Sequence, residues 1–120
     1  MATATMAMSA PRSMTNPPID LVALATHTLG NRELELEVLR MFKAQSHSMM
    51  TRINGAMAPA VRKDLVHTLK GSARAVGALQ VALVCEGLEA ELAQDRDPTL
   101  VSLQKAVGDA NAYIDDLLEG

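Results

Sequence analysis

Apolar residues recur at helical spacing along most of this chain. Between about Arg32 and Asn54 they fall three or four positions apart in one stripe: Leu34, Val38, Met41, Phe42, Met49 and Ile53. A second stripe near the C-terminus has steps of 3-4-3-4-3: Leu100, Leu103, Val107, Ala110, Ile114 and Leu117. No segment shows the strict alternation typical of a half-buried strand, so the pattern predicts a helical protein.

Capping and breaking residues divide this pattern into one short and four long helices. Asp20 is placed to cap a short helix that ends at Gly30-Asn31, and Asn54-Gly55 with Pro59 ends the next. A third helix is predicted at about 60–76, a fourth at 78–94 and a fifth at 98–118, with Asp97 as cap and Pro98 as first helical residue. The short connections predict an all-α fold, an antiparallel four-helix bundle with a short additional N-terminal helix.

Composition supports this fold and excludes several functions. Of the 120 residues, 48% are hydrophobic and 2% aromatic, a balance that favours helices over strands. The length suits one domain. A net charge of −3 gives no general attraction to nucleic acid or to an anionic membrane, and no apolar run is long enough to span a bilayer.

The first 18 residues differ from the rest of the chain. They are small, polar and interrupted by proline, so we expect residues 1–18 to form a disordered arm and residues 19–120 to form the domain. The arm lacks the charged and apolar regions of a secretory signal. Cys85 is the only cysteine, which excludes an intramolecular disulfide and fits a reducing compartment. We therefore expect a cytoplasmic protein.

His67 lies on the polar side of the third predicted helix. At about 100° per residue, Leu65, Leu69, Ser72 and Val76 define the core side, and His67 lies roughly 170° from the centre of that arc. Its predicted neighbours on the exposed face are Lys63, Lys70, Gly71 and Arg74. This placement excludes a core histidine but leaves two interpretations, an inert surface residue or an accessible nucleophile for an anionic electrophile.

A longer match decides between these interpretations. The stretch HTLKGSARAVGALQVALVCEGLE, residues 67–89, resembles the signature of histidine-containing phosphotransfer (HPt) domains. The shared features are His followed by Lys-Gly-Ser, a glycine about ten residues on, and a Cys-x-x-Leu-Glu segment. The resemblance extends upstream and covers about residues 19–118.

The resemblance implies a role for each matching residue. His67 would be the phosphoacceptor, reacting through Nε2, and Lys70 would hold the phosphoryl oxygens as a point charge. Gly71 would let a partner approach, whereas Ser72 points inward on the wheel and is given a packing or backbone-bonding role. Glu89 would accept a hydrogen bond from the Nδ1–H of His67, although an ordinary solvated glutamate is the alternative.

The resemblance also implies the partners, which are receiver domains of hybrid histidine kinases and response regulators. The docking surface is expected to combine a basic rim with apolar residues of the first two helices: Lys63, Arg74, Leu21, Leu24, Leu29 and Leu39. Magnesium is expected on the receiver alone, and this chain is expected to need no cofactor. A monomer is the simplest state that leaves His67 accessible.

A second function remains open, a helical adaptor that binds and inhibits a receiver or kinase without being phosphorylated. The His67, Lys70 and Gly71 set argues against it, because an adaptor needs no nucleophile. The sequence has no glycine-rich ATP motif, so we expect a phosphocarrier and not an enzyme that uses ATP. His27 and His47 lack ligand spacing, and we predict no metal site.

Overall fold

The computed structural model describes residues 17–119, and all of the regular structure in that range is helical. The predicted disorder of the N-terminal arm concerns residues that lie, except for Pro17 and Pro18, outside the described range. The described helices are α1 (Leu21–Thr28), α2 (Arg32–Gly55), α3 (Pro59–Val76), α4 (Leu79–Ala93) and α5 (Val101–Glu119). Their number and order confirm the helical pattern predicted from the sequence.

Side-chain and backbone caps explain where the first helices begin and end. The Asp20 carboxylate accepts hydrogen bonds from the backbone N–H groups of Val22 and Ala23, and the side chain of Asn31 accepts one from Leu34. Leu29, with a φ of 55°, adopts the left-handed conformation that ends α1, and Gly77, with a φ of 81°, ends α3 in the same way. Gly77 confirms the predicted end of α3, whereas α1 ends slightly before the predicted Gly30-Asn31, with Leu29 as its cap.

The start of α5 differs from the prediction. The helix begins at Val101, so Asp97 and Pro98 lie in the preceding connection instead of forming its cap and first turn. Asp97 pairs with Arg62, at 3.2 Å, and the same guanidinium donates to the backbone carbonyls of Ile53 and Ala56 at the end of α2. Arg62 therefore fixes this connection against the carboxyl end of α2, where free carbonyl groups accept a cation.

The four long helices form a closed ring around one core. α2 contacts α3, α3 contacts α4, α4 contacts α5 and α5 contacts α2, while α1 packs on α2 and α3. The largest fully buried side chains come from all five helices and from the residue before Asp20: Phe42, Ile19, Leu24, Leu39, Ile53, Leu69, Leu103, Ile114, Val66, Val81, Cys85 and Ser46. No helix in residues 17–119 is long and apolar enough to cross a membrane.

The buried side of α2 is rotated relative to the predicted stripe. Leu34 and Met41 are 45% and 62% exposed, whereas Leu39 and Ser46 are buried. Ser46 is polar but donates a hydrogen bond to the Lys43 carbonyl and accepts one from Asn111, so it can occupy the core. A polar residue on the buried side and apolar residues beside it shifted the predicted stripe by roughly 70° around the helix.

Candidate functional site

His67 projects from the middle of α3 into solvent. Residues of the same helix that face the core are Val66, Leu69, Ala73 and Val76. The His67 side chain lies outside this arc and is 68% exposed, which confirms the predicted orientation. The imidazole is therefore accessible to a partner molecule.

Glu89 of α4 contacts the histidine from the neighbouring helix. Its Oε2 lies 2.9 Å from Nδ1 of His67. Burial of the Glu89 carboxyl favours its neutral form, but contacts with Lys70 and His67 outweigh burial and lower its pKa below the ordinary value of 4.5. An ionised carboxylate can only accept a hydrogen bond, so Nδ1 carries the proton and the lone pair of a neutral imidazole is on Nε2.

Lys70 also contacts Glu89. Its Nζ lies 2.6 Å from Glu89 Oε1, and the Lys70 side chain is only 13% exposed. The prediction that Lys70 shares the exposed face of His67 is wrong. The buried arc of α3 is rotated by about 50° from the predicted one, which moves Lys70 to the boundary with α4 and Ser72 to the opposite boundary, where it is partly buried.

Gly71 leaves space beside His67. It is exposed, and a Cβ added there would meet no atom within 4 Å. Gly71 therefore has no packing reason to be glycine, although glycine in a helix interior costs about 1 kcal/mol relative to alanine. This absence of internal crowding is consistent with a surface on which another molecule approaches closely.

A second ion pair joins α3 and α4 on the exposed side. Arg74 Nη2 lies 3.2 Å from Glu86 Oε2, and the two side chains are 55% and 58% exposed. Lys63 is also exposed. Sequence analysis did not single out Glu86; its position three residues before Glu89, on the same part of α4, was the available signal.

Cys85 lies behind the site and takes no part in its surface. The side chain is buried, and burial, followed by the charge of Glu89, raises the thiol pKa to about 12. The thiol is therefore neutral at physiological pH, and nucleophilic chemistry belongs to the thiolate. Cys85 is a small buried residue of the core.

Two of the four predicted apolar docking residues are on the surface. Leu21 is 42% exposed and Leu29 is 93% exposed, whereas Leu24 and Leu39 are each 1% exposed and belong to the core. The prediction is therefore wrong for Leu24 and Leu39. Leu24 lies on the side of α1 that packs on α2 and α3, and Leu39 lies on the core side of the rotated α2 stripe. On α4, Leu79 and Leu83 are exposed.

The other histidines lie apart from this arrangement. His27 and His47 are exposed, and Nδ1 of His27 contacts the backbone carbonyl of Ala23 at 3.0 Å. Within residues 17–119, no group of three or more His, Cys, Asp and Glu side chains is arranged to hold a metal ion. The described site therefore consists of His67, Glu89 and Lys70, with Gly71, Arg74 and Glu86 around it.

Comparison with known proteins gives one family match that covers this part of the chain. The family model described as Hpt domain matches residues 37–120, which include most of α2, all of α3 to α5 and every residue of the site. Searches of curated proteins and of solved structures gave no match.

Proposed function

Because the chain belongs to the HPt domain family, we propose that it is an intermediate of a two-component phosphorelay. His67 accepts a phosphoryl group from the phosphorylated aspartate of one receiver domain and passes it to the aspartate of another. One observation carries the proposal most directly. The His67 imidazole is exposed, and its Nδ1 is engaged by Glu89, so Nε2 is the nitrogen left to react.

The reaction requires no other nucleophile from this chain. The lone pair on Nε2 attacks the phosphorus atom, an N–P bond forms, and the bond from phosphorus to the aspartyl oxygen breaks. The aspartate leaves as a carboxylate with the electron pair, while the imidazole keeps its proton on Nδ1. In the second transfer a receiver carboxylate attacks the phosphorus, and His67 leaves as a neutral imidazole because that proton remains.

The neighbouring residues are assigned supporting roles. Glu89 holds the Nδ1 proton and the ring orientation, Lys70 neutralises charge on the phosphoryl oxygens, and Gly71 lets the receiver approach. The open space at Gly71 supports its role. Because transfer between two proteins needs an in-line arrangement of donor, phosphorus and acceptor, docking contributes much of the rate.

The docking surface in this proposal combines apolar and basic side chains. Leu21 and Leu29 supply exposed apolar area near α1, and Lys63 and Arg74 supply positive charge on α3. Receiver domains hold magnesium in an acidic pocket, so the metal is assigned to the partner and the basic residues face its negative charge. The ring of helix contacts and the short connections support an antiparallel four-helix bundle, here proposed to act as a cytoplasmic monomer.

A phosphotransfer assay separates this function from that of an unphosphorylated adaptor. The full chain is incubated with a panel of receiver domains that carry a labelled aspartyl phosphate. We expect label to move to this chain in a form that is labile to acid and stable to base, as expected for an N–P bond. Binding to receivers without any transfer of label would contradict the proposal and support the adaptor.

A further inference from the structure

The two carboxylate oxygens of Glu89 contact different residues of the site, His67 and Lys70. Oε2 contacts Nδ1 of His67 at 2.9 Å, and Oε1 lies 2.6 Å from Nζ of Lys70. Oε1 is inaccessible to solvent, and its negative charge is compensated by the contact with Lys70. The Glu89 side chain as a whole is partly buried, and a carboxylate with so little access to water depends on its cation.

The ion pair with Glu89 also determines the position of the Lys70 ammonium. The His67 side chain is 68% exposed, while those of Lys70 and Glu89 are 13% and 16% exposed. The Lys70 ammonium is therefore turned toward the α3–α4 contact, and the reactive Nε2 of His67 is on the solvent side. In this arrangement the charge of Lys70 is already balanced before any phosphoryl group arrives.

We propose that Glu89 pairs with Lys70 while His67 is unphosphorylated, and that phosphorylation of His67 moves the Lys70 ammonium from Glu89 Oε1 to the phosphoryl oxygens. This inference rests on the proposed function and adds a second role for Glu89, as a positioning residue for Lys70. A phosphoryl group carries more negative charge than one carboxylate, so it competes for the ammonium. The free energy needed to break the Lys70–Glu89 ion pair opposes that movement.

The free energy of phosphohistidine then depends on the charge of Glu89. A strong Lys70–Glu89 pair makes the phosphoryl group less well held, which favours passing it on to the next receiver. The hydrogen bond to Nδ1 depends only on an acceptor oxygen at position 89. The two roles of Glu89 are therefore separable, because glutamine retains an acceptor oxygen and lacks the charge.

The first test is Glu89→Gln in the full chain, compared with wild type in phosphoryl exchange with one receiver domain. We expect the equilibrium ratio of phosphohistidine to phosphoaspartate to rise by about fivefold or more, since Lys70 is no longer shared. Glu89→Leu, which removes the acceptor as well, should slow transfer in both directions. Thermal unfolding monitored by circular dichroism establishes that each variant is folded.

The second test identifies Lys70 as the residue through which Glu89 acts. Lys70→Met keeps the unbranched stem and removes the charge. In the Lys70→Met background, Glu89→Gln should change the equilibrium less than about twofold. An unchanged equilibrium in Glu89→Gln alone, or an equally large shift in both backgrounds, would overturn the inference. Failure of wild type to take up any phosphate would instead contradict the proposed function on which it rests.

Discussion

Gly71 and His67 lie one helical turn apart on α3, and the space above that turn is open. Apart from its chain neighbours and the nearby backbone of its own helix, an added Cβ at position 71 meets no atom of the described residues within 4 Å. The backbone there is helical, so glycine costs stability relative to alanine without any compensating contact inside the chain. The loss of helix stability at Gly71 is explained if a partner protein occupies the open space beside His67.

Substitutions at Gly71 should separate stability from transfer. Gly71→Ala should raise the free energy of unfolding by about 0.5–1 kcal/mol, because alanine is the better helix former. Gly71→Gln should slow transfer by obstructing the receiver. Denaturant unfolding and single-turnover transfer assays measure the two effects. Equal transfer rates in wild type and both variants would remove the reason given for this glycine.

Gly77 has the opposite setting, at the junction of α3, α4 and the start of α1. Its φ is 81°, and the Asp20 backbone N–H donates to its carbonyl at 2.7 Å. A Cβ at this position would lie 2.5 Å from the Asp20 carbonyl oxygen. Only glycine satisfies both the left-handed conformation and the close approach, which joins the cap of α1 to the end of α3.

Gly77→Ala should therefore lower the free energy of unfolding by about 2 kcal/mol or more, from backbone strain and from the contact with Asp20. Gly30→Ala is a matched control, because Gly30 also has a positive φ, of 75°, but open space around it. It should cost about 1 kcal/mol from strain alone. Equal losses in the two variants, measured by urea unfolding, would show that the close approach to Asp20 is unimportant.

At the scale of helices, local signals predicted ends better than orientations. Asp20 and Gly77 act through their own backbone neighbours, so the sequence around them was sufficient to predict the start of α1 and the end of α3. The side that a helix buries depends on where its neighbours lie. The helical wheel and the family resemblance therefore predicted surface positions for Lys70, Leu24 and Leu39. In the structure, Lys70 is partly buried and the two leucines are fully buried.

Contacts between distant segments account for the other differences. Arg62 pairs with Asp97, which is 35 residues away in the chain, and also donates to a backbone carbonyl at the end of α2. No local sequence pattern indicates this combination of contacts. The same applies to the shared use of Glu89 by His67 and Lys70. The candidate residues themselves came from their resemblance to a family signature, while the distribution of the two Glu89 oxygens required the coordinates.

The whole molecule presents the site on one side of the helix ring. α3 and α4 carry its residues, and α5 lies diagonally across the ring from α3. The net charge is −3, so attraction of an acidic partner depends on local positive charge at this side and not on the charge of the chain as a whole.

Arg74 should contribute to encounter with an acidic receiver more than to the transfer step. Arg74→Ala should raise the receiver concentration needed for half-maximal transfer and leave the saturated rate nearly unchanged, with the deficit shrinking as salt rises. The effect should be modest because Glu86 already partly balances the guanidinium. Lys105→Ala removes an equal charge from the exposed side of α5 and should have little effect. Lys70→Ala removes the charge assigned to the phosphoryl oxygens and should lower the saturated rate. An equally deep loss of saturated rate in Arg74→Ala would contradict this assignment.

The most direct test of the account replaces one exposed histidine at a time. His67→Gln and His47→Gln are incubated with a phosphorylated receiver, and the modified residue is located by proteolysis and mass spectrometry under alkaline conditions. We predict phosphate on His67 in wild type and in His47→Gln, and none in His67→Gln. The free energy of unfolding of His67→Gln should lie within about 1 kcal/mol of the wild-type value. Phosphate uptake by folded His67→Gln, or wild-type phosphate located at another residue, would contradict the assignment of His67 as the phosphoacceptor.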